Sequence, residues 1–144
     1  MASKREQVID AVKALVAGAL PFAEVKRNLD KPERIPPGGL VIVRDGDPGE
    51  PEVLLSPLAY IYEHRLVIEI AAYASDTQTR EQVIDTMLAA IGAGVMADRT
   101  LGGLCLFLET EAPSSGDAET AGTKSARWAE AAIVAQYATA NPLT

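Results

Sequence analysis

The stretch "LAYIYEHRLVIEIAAYA", residues 58–74, alternates with a period of two. Tyr60, Tyr62, His64, Leu66, Ile68 and Ile70 fall on one face, and Glu63, Arg65, Val67 and Glu69 on the other. A strand with one nearly all-apolar face must be covered on that side, so the rest of the chain is read for what covers it. Downstream, "SDTQTREQVIDTMLAAIGAGV" places Ile84, Met87, Leu88, Ile91 and Val95 on one helical stripe, with Ser75 and Gln78 at capping-box spacing. This predicts a helix over about residues 76–95. Upstream, "SKREQVIDAVKALVAGAL" carries Ser3 and Glu6 at the same spacing, with Val8, Ala11, Val12, Leu15 and Ala19 on one face. It predicts a first helix over about residues 3–18, ending near Gly18 and Pro21.

Between the first helix and the long strand, "FAEVKRN" is a weak strand, and "LDKPERIPPGG" is a proline-rich connector. "LVIVR" and "EVLLS" read as two short strands joined by an acidic turn. After the second helix, "DRTLGGLCLFLETEA" turns into a strand, "PSSGDAETAGTK" reads as a mobile loop of about ten residues, and "SARWAEAAIVAQYAT" reads as a long, Ala-rich final strand whose propensity also admits a helix. The order α-β-β-β-β-α-β-β predicts one α+β domain over residues 1–144: a mainly antiparallel sheet with two helices packed on one face.

The bulk properties narrow the function. A chain of 144 residues buries enough surface to fold without staples. Cys105 is the sole cysteine, set in the apolar run "LGGLCLFLE", so an intramolecular disulfide or a cysteine-based zinc site is excluded and a buried, inert thiol is expected. No stretch approaches the roughly 18 uninterrupted apolar residues of a membrane span, and "MASKREQVIDAV" has no long apolar leader, so a soluble protein made in the cytoplasm is expected. The net charge is −7, from 20 acidic and 13 basic side chains, which argues against a phosphate-gripping surface. It suits a channel wall past which DNA slides, because each fixed cation there would act as a brake.

Tested as sites, the motifs fall short of chemistry. "RDGDPGEPEV", residues 44–53, offers Asp45, Asp47 and Glu50. Read as a calcium loop it places Gly49 at the fifth position, Glu50 where glycine is needed and Ser56 where the bidentate glutamate is needed. The loop is therefore expected to be a turn between "LVIVR" and "EVLLS", its acids keeping the tip in water. His64 is the only histidine, so no histidine-pair metal site exists; on an apolar face it reads as a satisfied core or interface residue. No Gly-x-Ser-x-Gly elbow exposes Ser56, Ser75 or Ser115 as a nucleophile. Trp128 and Arg127 lack the basic groove and repeated aromatics of a single-strand binder, and Trp128 reads as a core or subunit-contact residue. No catalytic residue, cofactor or metal is expected, and the chain is not read as an enzyme.

The N-terminal amphipathic helix, "KPERIPPGGLVIVRDGDPGEPEVLLSPLAYIYEHRLVIEI", "ADRTLGGL" after the second helix, and the closing "VAQYATANP" with Tyr137, Thr139, Asn141 and Pro142 resemble the tail terminator (minor tail, tail completion) family. Its members occur in long-tailed bacteriophages, prophages and gene transfer particles. The resemblance spans nearly the whole chain. It implies a small α+β subunit in a homohexameric ring on the head-proximal end of the tail tube. There it would stop tube polymerisation, contact the tail tube protein and the head-side connector or stopper, and let DNA pass without specific binding. Six copies at −7 would carry about −42, a charge that repels DNA phosphate. Candidate ring, tube or lumen contacts are Asp45, Asp47 and Glu50 in "DGDPGE", Asp117 and Glu119 in "SSGDAE", and the pair Asp98 and Arg99, which is also expected to fix its turn as a local ion pair. The alternatives are another head-tail connector, a stopper or adaptor, and a small acyl-CoA transferase-type enzyme, which would require a carboxylate nucleophile in a CoA cleft.

Overall fold

A computed structural model describes residues 2–30, 34–118 and 126–144. The elements run α1 (Lys4–Ala19), β1 (Glu24–Arg27), β2 (Leu40–Val43), β3 (Glu52–Leu55), β4 (Leu58–Ala72), α2 (Arg80–Ala97), β5 (Phe107–Ala118) and β6 (Ala126–Thr139). They form the α+β fold expected from the sequence. The main sheet has the order β1-β2-β4-β6-β5, with β3 also paired to β4. All pairings are antiparallel except β1 with β2. Parallel neighbours need a crossover of a dozen or so residues, and the connector 28–39 supplies it.

Both helices lie on one face. Val8, Ile9, Val12 and Val16 of α1 and Ile84, Met87, Ile91 and Val95 of α2 are buried against Leu66, Ile68 and Ile70 of β4 and Ile133 and Tyr137 of β6. The alternation of β4 fixes this arrangement: the even-numbered residues from Tyr62 to Ala72 are all buried beneath the helices. Described residues of the connector pack on the opposite face. There Leu29 and Ile35 join Leu40, Ile42, Ala71, Ala126, Tyr73 and Trp128 in a second, smaller cluster. Trp128, expected as a core or subunit-contact residue, is half-buried against this cluster. Cys105 is buried and unpaired, and burial pushes its thiol pKa up.

Three local expectations need correction. The second helix starts at Arg80, and its capping box is Thr79/Gln82, with Thr79 Oγ1 accepting from Gln82 N and Gln82 Oε1 from Thr79 N. Ser75 closes a separate turn, accepting from Gln78 N at 3.0 Å. In α1, Ser3 caps as expected, but Glu6 turns away from the cap and binds Arg27. The third concerns "PSSGDAETAGTK": residues 113–118 belong to strand β5, paired with β6 through Ala118↔Ala126 after an irregularity between Glu111 and Ser114. The remainder of that stretch lies outside the described residues.

Thr79→Ala should lower stability by about 1 kcal/mol, read from the urea midpoint, because it leaves helix N–H groups without their acceptor. Ser75→Ala should cost less. The reverse order would restore Ser75 as the helix cap.

Candidate assembly surface

The acidic stretch after β2 is not the turn expected from the sequence. Both β2 and β3 run antiparallel to β4 along the same edge, Val43 opposite Ile68 and Glu52 opposite Ile61. Residues 44–51 therefore continue in one direction, eight residues facing six of β4. In place of the expected turn, the path from β2 to β3 carries a two-residue bulge along one side of β4. Gly46 explains its shape: it adopts φ +62°, and an added Cβ would lie 2.2 Å from the Arg65 carbonyl oxygen.

Side chains pin the bulge from three elements. Arg27 of β1 donates to both Asp45 oxygens, at 2.6 and 2.8 Å, and to both Glu6 oxygens, at 2.8 and 2.9 Å. Paired forks of this kind are the stronger sort of ion pair, and they tie α1, β1 and the bulge together. The Arg27 guanidinium holds the carboxyls of both Asp45 and Glu6 below their usual range. Asp45 N–H donates to the Asn28 side chain at 3.0 Å. His64, fully buried, donates from Nε2 to the Asp45 carbonyl, and its Nδ1 accepts from the Tyr137 hydroxyl at 2.9 Å. Since a carbonyl only accepts, Nε2 carries a proton, and burial disfavours a second one on the ring, which leaves Nδ1 to accept from the Tyr137 hydroxyl. Burial lowers the His64 pKa and pushes that of Tyr137 up to about 12. The only histidine is committed at both nitrogens to holding the bulge against β4 and β6.

The other acids of the bulge point outward. Asp47 and Glu50 are exposed and border a cleft of about 390 Å³ floored by Tyr62 and Tyr137, with Arg5 opposite. Asp98 and Arg99 hold their turn by separate bonds instead of pairing with each other. Asp98 Oδ1 accepts from Gly102 N–H, while Arg99 donates to the Leu108 carbonyl and lies over the Phe107 ring at 5.0 Å. The backbone of Asp117 sits opposite Arg127 in the β5–β6 ladder, and Glu119 lies outside the described residues. Among the described residues, Asp45, Asp47 and Glu50 lie on the bulge while Asp98 and Arg99 lie in a separate turn, so these candidates do not form one site. Among the described residues, no group of three or more His, Cys, Asp or Glu side chains is placed to hold a metal. No helix is long and apolar enough to cross a membrane.

Two surfaces escaped the sequence reading. The first is the part of the far sheet face left open by the connector. The register puts Glu63 and Glu69 of β4, Glu130 of β6 and Glu109 and Glu111 of β5 on that face, against Arg65 and Arg44. Arg65 reaches across β6 to Glu111 at 2.8 Å, and Arg44 takes Glu69 at 3.0 Å. Glu63, Glu109 and Glu130 remain exposed, and Glu69 and Glu130 stand directly opposite one another, an arrangement that costs stability. The alternation of acids was visible in each strand, but only the register shows that three strands present them together.

The second surface is apolar. The β3–β4 hairpin exposes Val53, Leu54, Leu55 and Leu58, Leu55 at 82%. Toward the other edge of the sheet, α2 stands away from β5 and leaves a groove of about 350 Å³, lined by Leu88, Ile91 and Gly92 of α2, Ala131 and Ile133 of β6, and Ala112 and Pro113 of β5. Leu88, predicted on the buried stripe of α2, is only half-buried because it faces this groove.

His64 gives the structure a pH dependence. Its folded pKa lies below the ordinary 6.5, so stability is complete above pH 6.5 and declines as the pH falls and the unfolded state takes up the proton first. His64→Phe should flatten the urea-unfolding profile between about pH 6.5 and 5. It should also cost about 1–3 kcal/mol at pH 7.5 for each of the two groups left unpaired, the Asp45 carbonyl and the Tyr137 hydroxyl. An unchanged slope would show that His64 is not the titrating group.

No protein-family model matches the chain, and no curated protein matches its sequence.

Proposed function

We propose that this chain is a structural subunit of a phage-like particle, a tail terminator that forms a ring on the head-proximal end of the tail tube. The observation that carries the reading is the open, acidic sheet face on an otherwise well-packed α+β frame. Glu63, Glu109 and Glu130 stand exposed there without a basic partner among the described residues, while Arg44 and Arg65 are already engaged with carboxylates. A face of that charge turned to a lumen repels phosphate and lets DNA pass without a brake. The sequence resemblance, which runs from the first helix to "VAQYATANP", supports the same reading.

The structural roles of the polar residues fit a subunit that works by assembly. Arg27, His64 and Tyr137 are used to lock the bulge, and their pKa shifts stem from burial and ion pairing within the frame. Structural networks perturb such groups too, and the Tyr137 hydroxyl, on the floor of the cleft, is engaged with His64. The tail tube and the head-side connector are the partners this reading assigns. A stopper or adaptor ring would share the acidic face, and the stage at which assembly fails separates the two.

Particles made without this gene, imaged by electron microscopy beside particles with the wild-type copy restored, should carry overlong tails or tails detached from heads. Tails of normal length joined to filled heads would overturn the proposal. Tails of normal length that fail to join heads would assign the chain to a stopper or adaptor instead.

A further inference from the structure

We propose that copies of this chain join head to tail, the β3–β4 hairpin tip of one seated in the groove between α2 and β5 of the next. This deepens the ring reading by naming its contact, but the contact stands on the two surfaces themselves. The tip leaves four aliphatic side chains in water: Val53 at 46%, Leu54 at 45%, Leu55 at 82% and Leu58 at 50%. Leu55 and Leu58 are a cross-strand pair and share one face of the hairpin with Val53, while Leu54 lies on the other face with Ala59, so the tip is apolar on both sides. The groove is apolar at Leu88, Ala112, Pro113 and Ile133, and Gly92 keeps it open, since a Cβ added there would meet nothing within 4 Å.

Charge selects a second copy as the occupant. Copies of a chain at −7 repel one another over most of their surface. From Val53 to Tyr62 the hairpin contains no charged residue. Glu111, the one charged residue bordering the groove among the described residues, is paired with Arg65 at 2.8 Å. Tip and groove are therefore surfaces on which two such copies meet without like charges opposing. Position then sets the geometry. The hairpin belongs to the edge of β4 away from β6, and the groove lies beside β5, which ends the sheet on the other side. A knob and a hole on opposite edges make a heterologous contact, which closes into a ring when the rotation divides the circle. A standard interface buries about 800 Å² per partner, so the tip is its apolar centre, flanked by the neighbouring strand edges.

The test uses the full-length chain in sedimentation velocity over a range of concentrations. Two variants are compared, Leu55→Asp/Leu58→Asp in the exposed tip and Gly92→Trp filling the groove, each checked for an unchanged thermal midpoint. Wild type should run as an oligomer and each variant alone as a monomer. Mixed together, they should give a one-to-one heterodimer and nothing larger, because the mixture holds one intact tip and one intact groove. A wild type that is monomeric throughout, a folded variant that assembles like wild type, or a mixture that stays monomeric would each overturn the inference. Tail length is scored separately. A folded tip variant that still self-associates, beside overlong tails from the gene deletion, removes the contact and leaves termination standing; contact-dependent assembly with normal tails does the reverse.

Discussion

The bond from His64 Nε2 to the Asp45 carbonyl is the constraint on which the arrangement of this sheet turns. Strand β4 is long, and its edge away from β6 needs a partner along its whole length. The chain provides β2 at one end and β3 at the other, eight residues facing six between them. The excess is absorbed at the bulge, and a bulge needs partners for the backbone groups it takes out of the ladder. His64 gives the Asp45 carbonyl a buried donor, Tyr137 fixes the ring from β6, and Arg27 holds the Asp45 carboxylate against Glu6 of α1. One short network thereby couples the first helix, the edge strands and the two central strands.

That network sets what is left over. With the bulge locked, β3 leaves the shelter of the helices, which cover β2 and the later part of β4, and its four residues are all exposed. The hairpin tip is thus a consequence of the register. On the far face, Leu29 and Ile35 pack at the end around Ile42, Ala71 and Trp128, and Glu63, Glu109 and Glu130 beyond it are exposed. An acidic open face and an uncharged apolar tip are the features that assembly around a DNA path, as proposed, would use.

Much of this was legible in the sequence, and the exceptions have physical causes. The alternation of residues 58–74 identified the central strand and its buried face because a period of two admits one register on a core. The bulge escaped because Gly46, Pro48 and Gly49 carry the same signature whether the chain reverses or only kinks. The helix start slipped because Ser75/Gln78 and Thr79/Gln82 offer the same capping spacing, and hydrogen-bond geometry decides between them. The end of β5 was read as loop because Ser114, Ser115, Gly116 and Asp117 have low strand propensity; an edge strand tolerates such residues, since only one side of it must pair. The candidate residues were chosen where acids cluster in sequence, whereas the acidic face is assembled across β4, β5 and β6 and emerges only from the register.

The most direct measurement is a cryo-electron microscopy reconstruction of intact particles at a resolution that traces this chain. The account predicts a closed ring at the head-proximal end of the tail tube, with the sheet face bearing Glu63, Glu109 and Glu130 turned toward the lumen. A particle without this chain, or a ring that turns that face away from the DNA path, would contradict it.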